Sequence, residues 1–319
     1  MSTSSAGWRP VARKEFADHL LSMRFIILLA IMGLAGVVAV YSASGGIRGA
    51  AEDASDFPAL FLKLFTLSLE DKQIPSFVAL LGLLGPLVGI MFAFDAINGE
   101  RSQGTLPRLL AQPIYRDDVI NGKFVAGLSV IGVIVGSVVL VLAGFGMFRI
   151  GIVPSTKEIG RVLVWLVVSI FYIGFWLALA TLFSVWLRRA ATSALAAIAA
   201  WLVLTLFAGL LIGIVTDAFA PLPPQPTGEE VLRNAKLQQN LTRLTPSGLY
   251  QDATLVLLQP EVRSLGILFR EQLDRAVPSQ LSLDQSLLIV WPQLTALIAA
   301  TLLCFAGAYV LFMRQEIRA

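Results

Sequence analysis

One charged, turn-rich stretch decides how this chain folds: Asp95-Ala-Ile-Asn-Gly-Glu-Arg-Ser-Gln-Gly-Thr-Leu-Pro-Arg-Leu-Leu-Ala-Gln-Pro-Ile-Tyr-Arg-Asp-Asp-Val-Ile-Asn-Gly-Lys123. It lies between two apolar runs, residues 77–94 and 124–148, neither of which contains a charged side chain. Runs of this length are typical of helices that cross a membrane. A polar loop between them is where such a protein can meet a soluble partner, so this loop is the best lead to function.

The composition places the chain outside the class of soluble proteins. Hydrophobic residues make up 56 % of the chain and charged residues 14 %, whereas ordinary domains carry about 25 % charged residues. Six runs are long enough to cross the membrane as helices: residues 25–43, 77–94, 124–148, 162–187, 191–216 and 287–313. Because the backbone in lipid must satisfy its own hydrogen bonds, the predicted fold class is an all-α integral membrane protein with six transmembrane helices.

Basic residues predict the orientation of these helices. If the N-terminus is cytoplasmic, the inner segments are residues 1–24, 99–123, 188–190 and 314–319. They then hold Arg9, Arg13, Lys14, Arg24, Arg101, Arg108, Arg116, Lys123, Arg188, Arg189, Arg314 and Arg318. Short loops rich in Lys and Arg stay in the cytoplasm, and the connection 187–190 carries two arginines and no acid. We therefore expect both termini to be cytoplasmic in a multi-pass protein.

The first 24 residues are expected to form a cytoplasmic amphipathic helix rather than a cleaved signal peptide. Over residues 11–23, Ala12, Phe16, Leu20 and Met23 fall on one helical face, and charged side chains fall elsewhere. Such a helix suits the membrane interface, either as an elbow before the first span or as a plain basic anchor. The only histidine, His19, is interpreted as an ordinary interfacial residue.

The segment 217–286 is predicted to be a helical extracytoplasmic subdomain. Thr227 and Glu230 form a capping-box pattern before one helix. Thr245 with Pro246 predicts an N-cap with proline at the first position of a second helix, and Pro260 opens a third apolar periodicity. A disordered loop is the alternative. The predicted domains are therefore residues 1–24, 25–216 with the loop 95–123, 217–286, and 287–319.

Small residues and prolines mark places where the predicted helices can pack closely or bend. Gly127, Gly132 and Gly136 recur in the third run, and Ala194, Ala197 and Ala200 recur in the fifth. Small-residue faces permit close helix packing, so the fifth run is a candidate dimer interface, with packing inside one chain as the alternative. Pro86 and Pro292 predict kinks in the second and sixth runs.

Within the loop 95–123, Gly99 is predicted to end the second helix in a left-handed conformation. Gly104 breaks the chain again, and residues 105–111 offer a short amphipathic helix that Pro113 stops. A short helix held between two membrane helices can act as a lever against a docked protein. The alternative is a solvated loop with ordinary turn chemistry.

The order and spacing of these residues resemble the permease signature of type-2 ABC exporters. The matching pieces are residues 94–101, 104–106, 109–113 and 116–124. The resemblance is to the branch that includes the permease for maturation of the copper enzyme nitrous oxide reductase. It implies an elbow helix, six spans, cytoplasmic termini and a coupling helix that sits on an ATPase subunit. The ATPase-coupling residues expected from it are Asp95, Glu100, Arg101, Gly104, Thr105, Leu106, Arg108, Leu109, Leu110, Pro113, Arg116 and Lys123.

The resemblance also implies partners and a location. Two separate ABC ATPase subunits are expected, together with a second permease copy, which is either identical or a close paralogue. The expected location is the plasma (inner) membrane of a prokaryote, in contact with membrane lipids, with a possible extracytoplasmic protein partner at 217–286. No nucleic acid is expected. The long 217–286 segment exceeds that of the minimal members of the family.

No enzymatic site is apparent in the sequence. It has no G-x-x-x-x-G-K-[ST] phosphate loop, so ATP and magnesium are expected in the partner ATPase and no cofactor in this chain. One cysteine, one histidine and six scattered methionines make no plausible metal-ligand set. Apart from Asp95, interpreted as an end-of-helix residue, the six apolar runs lack the charged residues that ion-coupled carriers use.

The leading hypothesis from the sequence is the transmembrane subunit of an ATP-driven exporter. Its cargo would be an amphipathic, lipid-like or peptide substrate, or its output would be mechanical work on an external protein. The alternative is a membrane anchor or sensor whose 217–286 segment binds a partner without transport. A membrane-embedded enzyme is disfavoured because no reactive cluster lies at one membrane depth.

Overall fold

The computed structural model describes residues 7–51, 59–68, 74–104, 114–261 and 281–315. The helices in these ranges are α1 (Trp8–Leu20), α2 (Met23–Ala51), α3 (Leu60–Thr66), α4 (Phe77–Ala93), α5 (Asn98–Ser102), α6 (Arg116–Ile150), α7 (Thr156–Trp186), α8 (Ala190–Trp201), a π-helical turn (Leu202–Leu206), α9 (Ala208–Phe219), α10 (Gly228–Thr242), α11 (Pro246–Leu258) and α12 (Leu283–Arg314). The described part of the chain is thus predominantly helical, as the apolar runs predict.

Five stretches in the described residues are long and apolar enough to cross a membrane. They are Met23–Ile47, Phe77–Ser102, Arg116–Ile150, Thr156–Trp186 and Leu283–Arg314. They contain five of the six predicted runs. The fifth predicted run is instead a broken pair, Ala190–Leu206 and Ala208–Phe219, bent by 53°. The pair makes a sixth crossing if it is one span.

A π-helical turn causes this break. The amide of Phe207 bonds to the carbonyl of Leu202, five residues back, at 2.9 Å, and α9 then starts in a new direction. The Ser247 hydroxyl of α11 donates to the Leu204 carbonyl within the turn at 3.1 Å. No proline or glycine lies in the turn, so the sequence carries no local signal for the break.

The N-terminal helix begins earlier and ends earlier than the predicted 11–23. The Ser22 hydroxyl donates to the His19 carbonyl and accepts from the Phe25 amide, so α1 stops before Ser22 and α2 follows. Because Met23 starts the next helix, it does not share the predicted face with Ala12, and it is 68 % exposed. Val11 and Ala12 form the buried face instead.

Helix α7 lies at the centre of the bundle and packs on α4, α6, α11 and α12. The large side chains of this helix that pack against its neighbours, Trp165, Tyr172 and Trp176, are fully buried. Small residues set the closest approaches: a β-carbon at Gly89 of α4 would lie 2.6 Å from the Ile173 carbonyl. Of the predicted small-residue stripe on α6, Gly127 is in close contact with Leu177, whereas Gly136 has open space beside it.

Both predicted caps in the 217–286 segment are confirmed. Thr227 and Glu230 form the capping box of α10, and Thr245 accepts a hydrogen bond from the Gly248 amide at the start of α11. Helix α11 packs on α7 and α12, with Tyr250 and Leu257 buried in the common core. This part of the segment is therefore built into the bundle. The third predicted helix lies almost entirely outside the described residues, and the domain boundaries stay predictions.

Candidate coupling site

The backbone of the loop after α4 differs in one respect from the sequence prediction. Gly99 lies inside the short helix α5, so the prediction that it ends a helix in a left-handed conformation was wrong. The left-handed residue is Gly104, with φ at 67°. A glycine suits that conformation because it has no β-carbon. Residues 105–111, predicted as the coupling helix, lie outside the described residues, and so do Thr105, Leu106, Arg108, Leu109, Leu110 and Pro113.

Lys123 is a buried cation between two carboxylates. Its Nζ atom lies 2.7 Å from Oε1 of Glu100 and 3.1 Å from Oε2 of Glu15. The three side chains are 8 %, 21 % and 12 % exposed, respectively. Burial of a lysine is costly unless it is paired, and here each partner comes from a different helix. Lys123 therefore connects α6 to both α1 and α5.

Asp95 forms the second ion pair of this end of the molecule. Its two carboxylate oxygens accept from Nη1 and Nη2 of Arg24 at 3.0 and 2.6 Å. The Arg24 guanidinium also lies over the Phe94 ring, 5.1 Å from its centroid. Paired, two-point contacts of this kind are geometrically specific. The pair joins the first turn of α2 to Asp95, two residues after the end of α4. This position agrees with the interpretation of Asp95 as an end-of-helix residue.

Ser184 fastens the start of α5 to the end of α7. Its buried hydroxyl accepts from the amides of Ile97 and Asn98 at 3.0 and 3.3 Å. The Asn98 side chain in turn donates to the carbonyl of Leu187 at 3.4 Å. Because backbone amides at a helix start lack partners within the helix, Ser184 stabilises the turn before the loop.

Gln315, the residue directly after α12, completes the cluster. Its side-chain oxygen accepts from Arg101, and its carbonyl accepts from Nη1 of Arg116 at 3.0 Å. Its amide group donates to the Val185 carbonyl at 2.7 Å. Behind these contacts lies a small apolar cluster of Ile97, Ile120, Val185, Ala308 and Phe312. Four helices and the loop thus meet at one end of the bundle.

His19 of α1 lies beside this cluster. Its ring meets the Phe92 ring edge-on, with centroids 5.1 Å apart. Burial lowers the pKa of His19, and the nearby charges of Glu15, Lys123, Arg24 and Asp95 act in both directions. We therefore expect a neutral imidazole at neutral pH.

The described members of the predicted site lie at one end of the bundle, around α5. Asp95, Glu100, Arg101, Arg116 and Lys123 all engage partners there, and Gly104 is the last described residue before residue 114. Sequence reasoning missed the partners: Glu15, Arg24, Asn98, Ser184 and Gln315. Apart from Asn98, which belongs to the loop itself, they come from distant parts of the chain, so no spacing links them to the loop. The described residues contain no group of three or more His, Cys, Asp or Glu side chains able to hold a metal.

Comparisons with known proteins agree with this architecture. The profile of a family described as "ABC-2 family transporter protein" matches residues 9–317. A protein of Stutzerimonas stutzeri called "Probable ABC transporter permease protein NosY" is 34 % identical over 150 residues, which cover 47 % of this chain and 48 % of that protein. A protein of the same name from Pseudomonas aeruginosa is 32 % identical over 150 residues, covering 47 % and 46 %.

Each of these two alignments spans about half the length of the relative, whereas the family match runs from α1 to the end of the last helix. The bundle of apolar helices is what a transmembrane transporter subunit requires, because its backbone must satisfy its own hydrogen bonds in lipid. On the strength of that match across the whole bundle, the chain belongs to the ABC-2 transporter family, as a multi-pass membrane permease.

Proposed function

We propose that this permease is the transmembrane subunit of an ATP-driven exporter, and that the loop 95–123 receives the motion of a separate ATPase. The observation that carries the proposal is the position of Lys123, which is paired with Glu100 of α5 and Glu15 of α1. A force applied to the loop beyond Gly104 acts first on α5. Because α5 is ion-paired to α6 and hydrogen-bonded to the end of α7, that force acts on α5, α6 and α7 together.

The ion pairs around the loop favour transmission of the ATPase motion to the helices, because they resist local deformation. Paired and buried charges hold one geometry more strictly than apolar contacts, because the unpaired state is costly. The Asp95–Arg24 pair adds α2 to the elements that move with the loop. In this account α1 acts as the elbow helix, lying against α6 where Gly122 allows a close approach to Val11.

The proposed assembly contains two permease chains and two ABC ATPases in the plasma (inner) membrane of a prokaryote, with both termini in the cytoplasm. The ATPases face the end that holds Gly104 and Gln315. The distribution of basic residues supports the proposed orientation, and the family match supports the proposed location and the dimer. The exposed apolar side chains of α8 and α9, such as Leu195 and Leu210, support the fifth span as the dimer contact.

The proposed cargo is an amphipathic, lipid-like or peptide substrate, or the output is mechanical work on an external protein. The apolar faces of the helices support this class, because they offer no charged pathway for an ion. The two relatives are named permeases in their own organisms, and that name is compatible with the proposal.

Co-expression with the ABC ATPase encoded nearest to this permease tests the proposal. We expect the ATPase to co-purify, and ATP hydrolysis in proteoliposomes to rise when the permease is present. Glu100→Ala should abolish this stimulation, because it leaves Lys123 short of one partner. Glu229→Ala, at an exposed position on α10, is the matched control and should leave it unchanged. If no ATPase associates, the proposal fails.

A further inference from the structure

A partly open cavity of about 380 Å³ lies against the bundle, and none of the residues of the coupling site lines it. It is bounded by α4, α7, the π-helical turn and α11, so all its described walls come from one chain. Its size falls within the range of small-molecule sites, about 300–1,000 Å³. Nothing in the proposed coupling mechanism uses it.

Two interruptions of helical hydrogen bonding face this cavity. Pro86 has no amide hydrogen, so the carbonyl four residues earlier, at Gly82, loses its helical partner. The Tyr172 hydroxyl donates to that carbonyl at 2.7 Å. The second interruption is the π-helical turn, where Ser247 donates to Leu204. Gly82, Tyr172 and Ser247 all line the cavity.

Irregular backbone at membrane depth is tolerated where it is buried in protein or lines a polar cavity. Broken helices in transporters also tend to mark binding sites, because they present backbone polar groups to a ligand. π-helical turns in general are frequent at functional sites. The coincidence of two interruptions at one cavity is therefore an argument for a binding site rather than a packing defect.

The lining indicates what the cavity would bind. Hydroxyl and amide side chains reach it from three walls, including Thr205, Ser247, Gln251 and Thr254, and its described lining holds no Asp, Glu, Lys, Arg or His. A charged ligand would be desolvated there without a counter-charge, which costs several kcal/mol. Hydroxyls both donate and accept, so a neutral ligand bearing hydroxyls matches this lining best.

The mouth of the cavity is apolar on one side. Leu206 and Leu255 line it and are 51 % and 38 % exposed, which sets exposed apolar side chains beside the hydroxyl and amide groups of a lining that is otherwise apolar. A ligand with a hydroxylated head and an apolar tail would satisfy both surfaces at once. We propose that this intrachain cavity binds a neutral amphiphile whose polyhydroxyl head group, a sugar or glycerol, sits among Thr205, Ser247 and Gln251.

This inference goes beyond the coupling account and does not depend on it, so the test uses the full-length permease without any ATPase. Cys304 is the only cysteine, so Cys304→Ala with Gln259→Cys gives one thiol in the cavity lining and keeps Thr205, Ser247 and Gln251 in place. The protein is placed in phosphatidylcholine nanodiscs, and the rate of maleimide labelling is measured. The added probes are dodecyl maltoside below its micelle concentration, dodecylphosphocholine, and free maltose.

We expect dodecyl maltoside to slow labelling about fivefold at a few times its dissociation constant, since protection follows occupancy. Dodecylphosphocholine and free maltose should have little effect. Ala79→Phe, which fills the cavity from α4, should remove the protection. Ala199→Phe, at an exposed position on α8 outside the lining, should keep it.

Four results would overturn the proposal. Equal protection by dodecylphosphocholine would mean that the alkyl tail alone binds, and equal protection by free maltose would mean that the apolar tail contributes nothing. No protection by any probe, with Gln259→Cys still reactive, would mean that the cavity holds water only. A thiol that does not react would mean that the cavity is closed to solutes of this size.

Discussion

The ammonium group of Lys123 lies 2.7 Å from the carboxylate of Glu100, at the point where the second membrane helix gives way to the loop. The same ammonium lies 3.1 Å from Glu15 of the N-terminal helix. Elements more than eighty residues apart in sequence are therefore joined through one buried cation. In the proposed account this contact makes the loop, α1 and α6 move as one body.

Lys123→Met should destabilise the protein and uncouple the ATPase. Removing one partner of a buried ion pair leaves the other charges unpaired, at a cost of about 3–5 kcal/mol. The methionine keeps the volume of the side chain, so the loss reports on charge. Thermal unfolding in nanodiscs and ATPase stimulation in proteoliposomes measure the two effects.

Lys14→Met is the matched control for that substitution. Lys14 also pairs with Glu15 and with Asp18, but its side chain is 63 % exposed, and exposed pairs contribute about 0–1 kcal/mol. Adding Glu15→Gln and Glu100→Gln to Lys123→Met should restore part of the stability but not the stimulation. If Lys14→Met and Lys123→Met behave alike, the buried pair has no special role.

Stability should fall on acidification because of His19. Burial lowers the pKa of His19 from its ordinary value of 6.5, so the folded protein takes up this proton at a lower pH than the unfolded chain does. The unfolded state then binds more protons just below pH 6.5, and the free energy of unfolding decreases as the pH falls through that range. Well above pH 6.5 His19 is neutral in both states, and the free energy of unfolding no longer changes with its protonation.

Thermal unfolding of wild type and His19→Phe between pH 5 and 7.5 checks this expectation. The phenylalanine cannot take up a proton and keeps an aromatic ring against Phe92. We expect a smaller drop in the melting temperature of the variant over this range. An equal drop in both proteins would assign the pH dependence to other groups.

Gly89→Ala should weaken the contact between α4 and α7. A β-carbon there would lie 2.6 Å from the Ile173 carbonyl and 2.9 Å from the Leu177 amide, both backbone atoms that move only with their helix. Such overpacking costs about 1–3 kcal/mol. Gly136→Ala is the control, because nothing lies within 4 Å of its added β-carbon. It should be neutral or stabilising by up to about 1 kcal/mol, and equal losses at both positions would contradict the packing.

Arg161→Met should loosen α11 from the bundle. Arg161 is 4 % exposed, and its Nη1 atom donates to the Leu257 carbonyl at 2.9 Å and to Ser286 Oγ at 3.1 Å. Its loss leaves carbonyls at the end of α11 without donors, at about 1–3 kcal/mol. Hydrogen exchange of residues 246–258 should rise. Arg188→Met, at an exposed position, should leave that exchange unchanged, and a rise in both variants would contradict the role of Arg161.

Apolar length and capping chemistry were enough to predict most of the helices. Five of the six runs and the caps at Thr227 and Thr245 are local signals that appear in the structure, whereas the fifth run is a bent pair of helices. The break at Phe207 has no strong local signal, because Leu202–Leu206 contains neither proline nor glycine. It coincides with the Ser247 hydroxyl of α11, which donates to the Leu204 carbonyl forty-three residues earlier, and sequence periodicity carries no such information.

The candidate site likewise contains residues that the sequence identifies and partners that only the fold reveals. Asp95, Glu100 and Lys123 stand out as charges beside apolar runs, so the sequence identifies them. Their partners, Arg24 and Glu15, are two ordinary charges among many in the N-terminal segment. The packing of α2 on α4 selects Arg24, and the packing of α1 on α6 selects Glu15. Arg161 was missed because it lies one residue before the predicted start of its run, yet the helix begins at Thr156.

Photocrosslinking from Gln103 tests the central claim most directly. Gln103 is exposed, next to Gly104, and Gln285 is exposed near the start of α12. At 1.5 Å per residue, Gln285 lies about 45 Å along that helix from Gln315, the residue that contacts Arg101. Each is changed to cysteine in the Cys304→Ala background, labelled with a benzophenone maleimide, and irradiated in membranes that contain the ABC ATPase. The account predicts an ATPase adduct from Gln103→Cys and none from Gln285→Cys. Equal adducts from both positions, or an adduct from Gln285→Cys alone, would contradict it.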